Sequence, residues 1–379
     1  MAVEAEVSQD RLMTYTARQL NRATLERQML LERAPVDVLT AVDRAVAIQA
    51  QEPASPYIAL WNRIEGFDPA DLDEAFTSGA VRKASLMRIT LHAVTAADHE
   101  VFHHAMLPAL RASRLYDKRF KAMDVTIEQA DALLEHVLEF ARTPRQKAEI
   151  EELLHSHAGD VGQPGIWWAL RTYGGLVHAP TGGPWSFGLR PVYQAVTAEP
   201  WERMAAVAEM LRRYLTGFGP ATVLDMNQFT MLPRTSIRDA LEQLDLVRDG
   251  DYVDIPHRTV PDEDTPAPPR LMAMWDSTLL AYADRSRIIP EQYRKLVIRN
   301  NGDTLPTLLV DGHVAGVWRP NEDGGIEASA FHALREDQWA GLAEESKALH
   351  EFLGEREPQV YRRFARWWTG LPVEQVRIL

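Results

Sequence analysis

The chain contains no cysteine in 379 residues, which excludes a disulfide framework and any thiolate-bound metal and fits a reducing compartment. It has no apolar run of the ~18 residues that a membrane-spanning helix needs. Its first residues, Met1 to Glu6, lack the basic-then-apolar order of a secretory leader. It is also short of positive charge: 41 Lys and Arg stand against 54 Asp and Glu, a net charge of −13. These absences predict a soluble cytoplasmic protein. They speak against one that holds a polyanion by bulk charge alone.

The placement of the acid alters that reading. Residues 249–264 carry a net −5 and residues 322–358 a net −7, so the rest of the chain is nearly neutral at −1. Within that remainder lie two basic clusters, Arg111, Arg114, Lys118, Arg119 and Lys121, then Arg285, Arg287, Arg294, Lys295 and Arg299. They read either as a cationic track or as ordinary solvated surface. Hydrophobic residues at 46% and charged residues at 25% are a usual globular balance. The length exceeds what one core usually serves, so two to four modules are expected.

The densest polar signal is Gln49-Ala50-Gln51-Glu52-Pro53, after an apolar helical stretch that includes Val38, Leu39, Val42 and Val46. Pro53 pushes Glu52 out of helical conformation, and in extended chain Gln49 and Gln51 share a face. Paired carboxamides orient water or hydrogen-bond a base edge, but they cannot take a full proton. A reaction built on them needs a leaving group that is already activated. Glu52 is placed either to assist as a base or, since it points to the opposite face of such a strand, as a solvated loop carboxylate, the favoured reading.

The coarse pattern is helix-rich with short ribbons: mainly α with β hairpins. Helical periodicity over 205–216, 221–228 and 234–244, followed by alternation around Asp249-Gly250, is the order of a winged helix whose third helix is the recognition-like one. An earlier unit has helices over 146–158 and 165–173, strands at 176–178 and 185–189, and a Gly182-Gly183-Pro184 turn between them. The expected division is winged-helix units at 14–95, 125–196 and 200–258, then a C-terminal α/β region at 270–379. That region has a hairpin over 308–317 turned by Asp311-Gly312.

His99-Glu100-Val101-Phe102-His103 matches the zinc-peptidase pattern His-Glu-x-x-His. No third ligand follows at the longer motif's spacing, where Met106 and Ala109 stand. The favoured reading is a solvent-facing stripe on an amphipathic helix, with no metal and no cofactor.

Four segments together resemble the AlkZ/YcaQ-like winged-helix DNA glycosylases: Val46 to Ile64 with its Gln-Ala-Gln, Arg88-Ile-Thr-Leu-His-Ala-Val94, Trp275 to Arg285, and Thr307 to Trp318. Gln51 places the chain with the Gln-Gln branch; a related branch carries Asp there. The resemblance implies Gln49 and Gln51 as catalytic residues. It implies a monofunctional glycosylase that uses water to release bulky or crosslinked N7-alkylpurines from double-stranded DNA, in base excision repair or in self-resistance to an alkylating natural product. Such a protein is expected as a monomer at the nucleoid. Arg88, Thr90 and His92 share one face of a strand-like stretch, and His92 reads either as a half-buried structural histidine or, with Arg88, as a DNA contact. His313, past the Asp-Gly turn, reads either as a DNA contact on a groove-entering hairpin or as plain surface. Trp167 and Trp168 read as core. Two rivals stay open: a non-catalytic winged-helix regulator, which would tolerate loss of both glutamines, and a zinc peptidase, which metal content would reveal.

Overall fold

The computed structural model describes residues 15–158, 165–188, 190–197, 199–322 and 325–379. Thr14, where the first unit was expected to begin, and Leu189 lie outside the described residues, as do Met1 to Glu6. Among the described residues no helix is long and apolar enough to cross a membrane.

The chain enters through the Ala17–Arg27 helix, started by a capping box in which Thr16 and Gln19 satisfy each other's backbone N–H groups. The Val38–Ala45 helix follows, N-capped by Asp37 and stopped at Val46, whose φ of 69° no helix continues. Strand β1 (Ile48–Gln49) comes next, so the chain is already extended before Pro53; a turn through Pro53 then leads into the Ser55–Trp61 helix.

β2 (Val81–Ser85) and β3 (Leu91–Thr95) form a hairpin, and β1 pairs with β3 so that Gln49 faces His92. The same sheet takes in β4 (Arg145–Gln146), β5 (Leu176–Ala179) and β6 (Val192–Ala195), in the order β1-β3-β2-β5-β6-β4, antiparallel throughout. β2 is therefore interior, with Lys83 opposite Ala93 on one side and His178 on the other. The strand expected at 185–189 is instead β6. Trp185 sits in the turn before it, buried with its ring 5.0 Å from Tyr57, and that anchoring takes the segment out of the ladder.

Downstream, the helices Arg203–Phe218, Val223–Thr230 and Arg234–Leu241 lead into the ribbon β7 (Val247–Asp249) and β8 (Tyr252–Asp254), turned at Gly250 with φ 56°. This is the element order expected from the periodicity, with the third helix ending three residues early. A five-stranded sheet in the order β13-β12-β11-β10-β9 closes the chain: β9 (Arg270–Leu271), β10 (Thr307–Val310), β11 (His313–Pro320), β12 (Ile326–Ala330) and β13 (Gln375–Ile378). The molecule is thus mainly α with small antiparallel sheets.

Two apolar cores result. One joins the helices of residues 25–76 to the C-terminal sheet and the Glu336–Gly354 helix; the other is built mainly from residues 84–253, with Val46, Ala47, Ala281 and Tyr282. Buried arginine–carboxylate pairs tie distant segments together. Arg63 reaches both oxygens of Asp276 at 2.8 and 3.0 Å, Arg27 grips Asp254 at 2.8 and 2.6 Å, and Arg213 holds Asp98 at 2.9 Å. Removing one partner of such a pair leaves an uncompensated buried charge, which costs about 3–5 kcal/mol.

Candidate active site

Gln49 ends β1 and is almost fully buried, so its carboxamide needs internal partners. Arg88 Nη2 donates to Gln49 Oε1 at 2.5 Å and lies 3.2 Å from His92 Nε2. A guanidinium only donates, so Gln49 must turn its oxygen towards it and His92 Nε2 must present its lone pair. The His92 proton then sits on Nδ1, 3.1 Å from the Thr90 carbonyl that accepts it. Burial and the neighbouring Arg88 push the His92 pKa well below its ordinary value, so the imidazole is neutral.

Arg88 is placed by a strained turn. Arg88 and Ile89 have φ of 52° and 60°, left-handed values that cost a β-branched residue in particular. The guanidinium carbon lies 5.1 Å from the Phe229 ring centroid. Burial, then repulsion from Arg285, lowers the Arg88 pKa to about 10. Arg88 Nη1 is buried without a hydrogen-bond partner among the described residues.

Gln51 sits past the strand end and is exposed. Its Oε1 accepts a long 3.3 Å bond from the Leu91 N–H, while the Leu91 carbonyl accepts from Ala50 N at 2.7 Å. Both glutamines therefore lean on the 88–92 segment, but Gln49 lies within the sheet and Gln51 lines a cleft of 240 Å³. In each the carbonyl oxygen takes the internal bond, which leaves the amide N–H donors for a ligand.

Glu52 lines the same cleft and is not the solvated carboxylate expected from extended chain: its side chain is 14% exposed and ion-paired with Arg363. Burial raises its pKa despite that arginine. Lys83 also lines the cleft and was missed by sequence reasoning. It is buried, with Nζ 4.3 Å from the Phe187 ring centroid, and burial lowers its pKa to about 8. The available signal was its place two residues from Val81, on the apolar face of the strand. Its cross-strand neighbour His178 is held neutral, with a pKa of about 3 set chiefly by burial.

Of the DNA contacts expected at Arg88 and His92, His92 is fully buried with both ring nitrogens engaged, while Arg88 gives Nη2 to Gln49 and His92 and keeps Nη1 without a partner among the described residues. The 308–317 hairpin is not a free probe. Asp311 pairs with Arg18 at 2.7 Å and with Arg22, and Asn21 Nδ2 donates to the Gly312 carbonyl at 2.8 Å. The tip is seated on the Ala17–Arg27 helix. His313 is half-buried beside it, with Nδ1 3.1 Å from the Asp311 carbonyl, and no hydrogen bond links it to Gln49 or Gln51.

The His99–His103 pair is not solvent-facing either. The rings stack at 6.0 Å, His99 is 1% exposed, and burial holds their pKa values to about 3 and about 4. Among the described residues no group of three or more metal-ligating side chains forms. Trp167 is core, 4.9 Å from Tyr193, whereas Trp168 lies under Arg119 and Arg114 at 3.9 and 4.6 Å.

Residues 42–352 match the family described as DNA glycosylase AlkZ-like. The chain is 25% identical over 331 residues to an interstrand DNA cross-link repair glycosylase of Streptomyces sahachiroi, covering 79% of this chain and 87% of that protein. The fold superposes on that of Streptomyces sahachiroi DNA glycosylase AlkZ with a TM-score of 0.76 at 18% identity, over 91% of this chain and 99% of the other. The matched span contains both glutamines, the Arg88–His92 network and the cleft apart from Arg363. The chain belongs to the AlkZ-like family and is a DNA glycosylase, with DNA as its substrate.

Proposed function

We propose that Gln49 and Gln51 release cationic N7-alkylpurines, including bulky and crosslinked ones, with water as nucleophile and an abasic site as product. The supporting observation is the chemistry of the motif itself: two carboxamides whose oxygens are tied to Arg88 and Leu91, presenting N–H donors and no strong acid. Such donors cannot protonate a poor leaving group. An N7-alkylated purine is already positive and departs neutral, so positioning and charge stabilisation suffice. Arg88 fixes Gln49 from behind, and His92, locked as the Nδ1–H tautomer, fixes Arg88.

The crosslink repair named for the Streptomyces sahachiroi relative supports a bulky substrate and a role in repair or in self-resistance. The division into winged-helix units at 14–95, 125–196 and 200–258 with a C-terminal region at 270–379, a monomeric state, nucleoid location and a DNA contact at His313 complete this reading. The test is a duplex carrying one N7-methylguanine, scored for abasic sites, beside a duplex carrying a neutral lesion. Excision of the cationic base only, lost in Gln51→Ala, is expected. Equal excision of both refutes the activated-leaving-group argument.

A further inference from the structure

The cleft beside Gln51 is unbalanced in charge. Lys83, Arg171, Arg190 and Arg363 line it against the single carboxylate of Glu52, and Arg363 already takes that carboxylate. Among the described residues Arg171 reaches only the Tyr193 hydroxyl, at 3.4 Å. Lys83 is the most telling group. It is 4% exposed, and among the described residues no hydrogen bond or ion pair reaches its Nζ, which rests over the face of Phe187. The charge of Glu52 reaches it, but that carboxylate is committed to Arg363, and a buried ammonium with no ion pair of its own opposes folding. At an interior strand position an apolar side chain packs without that penalty, so the lysine marks a place where the counter-charge arrives with the ligand.

The ligand of a DNA glycosylase supplies one. A cationic purine adds positive charge to a cleft that already has an excess, and enters favourably only if an anion comes with it. A DNA strand brings a phosphate with every nucleotide, and Lys and Arg are the side chains that hold phosphate oxygens.

We propose that the floor of this cleft is a phosphodiester subsite, in which Lys83, flanked by Arg171 and Arg190, holds the backbone phosphate next to the damaged nucleotide and so fixes its sugar beside Gln51. The proposal rests on the reading of Gln51 as part of the active site. It assigns Lys83 a binding role, and Phe187 the role of a wall that holds the ammonium in the cleft.

The experiment is methylphosphonate interference. Duplexes carrying one N7-alkylguanine receive a single neutral methylphosphonate at each position around the lesion in turn, and binding is measured with wild-type protein, Lys83→Met and Arg190→Ala. In the wild type, one position beside the lesion is expected to weaken binding by about tenfold, the effect of losing one charge-assisted hydrogen bond. Lys83→Met weakens binding of the unmodified duplex to a similar degree and is indifferent to the methylphosphonate at that one position. Its salt dependence falls by about one phosphate contact. Arg190→Ala, an exposed change that leaves the core intact, gives a smaller loss with the same positional pattern.

The proposal is overturned if Lys83→Met binds like the wild type, or if it stays as sensitive as the wild type at every position. Interference is read in binding, while the Gln51 reading is scored separately by base release in Gln51→Ala, so the two fail independently.

Discussion

Replacing the two motif glutamines one at a time should separate catalysis from stability, because the structure gives them unequal burdens. Gln49→Ala removes the acceptor that Arg88 Nη2 holds at 2.5 Å, in a setting where Arg88 Nη1 already lacks a partner. Losing a hydrogen bond to a buried charged group costs about 1.5–3 kcal/mol. Gln51 is exposed and holds one long 3.3 Å bond, so Gln51→Ala should change stability by no more than about 0.5 kcal/mol. Base release is expected to suffer in both, by about 3 kcal/mol or more than a hundredfold, the scale of losing one donor aimed at a transition state.

Single-turnover excision of N7-methylguanine and urea unfolding read the two quantities separately. Arg88→Met should cost stability and slow excision, and combining it with Gln49→Ala should add little, since both break one network. Wild-type stability in Gln49→Ala, a wild-type rate in Gln51→Ala, or full additivity of Gln49→Ala with Arg88→Met would each refute this account.

Further outcomes follow from other groups. Lys83 has a pKa of about 8 against an ordinary 10.5, a difference equivalent to about 3 kcal/mol of folding free energy. A lowered base pKa destabilises fully below pH 8 and is relieved as pH rises towards 10.5. Lys83→Met should therefore be the more stable protein at pH 7, with the gain shrinking to nothing across that window in unfolding measured against pH; a pH-independent difference would contradict the burial argument. Gly312→Ala should lose about 2 kcal/mol or more, because φ is 78° and a Cβ would lie 2.5 Å from Asn21 Oδ1 and 2.7 Å from Leu25 Cδ1. His313→Ala, beside the same anchored turn, should leave the melting temperature nearly unchanged and slow excision modestly on N7-alkylguanine and more on an interstrand crosslink; a variant as fast as the wild type on both substrates makes the hairpin scaffold alone. Purified protein should carry no stoichiometric metal, and chelator should leave excision intact; one zinc per chain, lost in His103→Ala, would reverse that.

Local order was largely legible. The helix–helix–helix–ribbon succession at 203–254 follows from periodicity and from the Gly250 turn. The Gln-Ala-Gln motif was legible as a polar interruption in apolar chain. What sequence could not give was the environment that strands far apart create around one another. Glu52 reads as loop carboxylate until Arg363, some three hundred residues later, closes over it. Lys83 carries no signal of its own until β5 pairs with β2 and Phe187 covers it. His99 and His103 read as a surface stripe until the helix carrying them is packed into the second core. In each case the chemistry of the group depends on burial, and burial here is set by long-range pairing that periodicity does not encode.

The same distinction resolves the awkward net charge of −13. Four carboxylates of the two acidic segments are engaged in the interior, while most of the others lie on the surface. Asp254 serves Arg27, Glu345 binds Arg33 at 2.7 Å and Arg270 at 3.1 Å, Glu327 holds Arg319 at 2.8 Å, and Glu357 accepts from the Trp185 indole at 2.5 Å. Glu345 with Arg33 and Glu357 with Trp185 fasten the C-terminal region to the rest of the chain, and none of the four lines the cleft beside Gln51. The cleft keeps four cations against one carboxylate. A strand approaching it meets local field more than total charge, because at physiological salt exposed charges beyond about 8 Å are largely screened. A protein with surplus acid can therefore still present DNA with a cationic site, provided the acid is structural and the unpaired cations are where the phosphate goes.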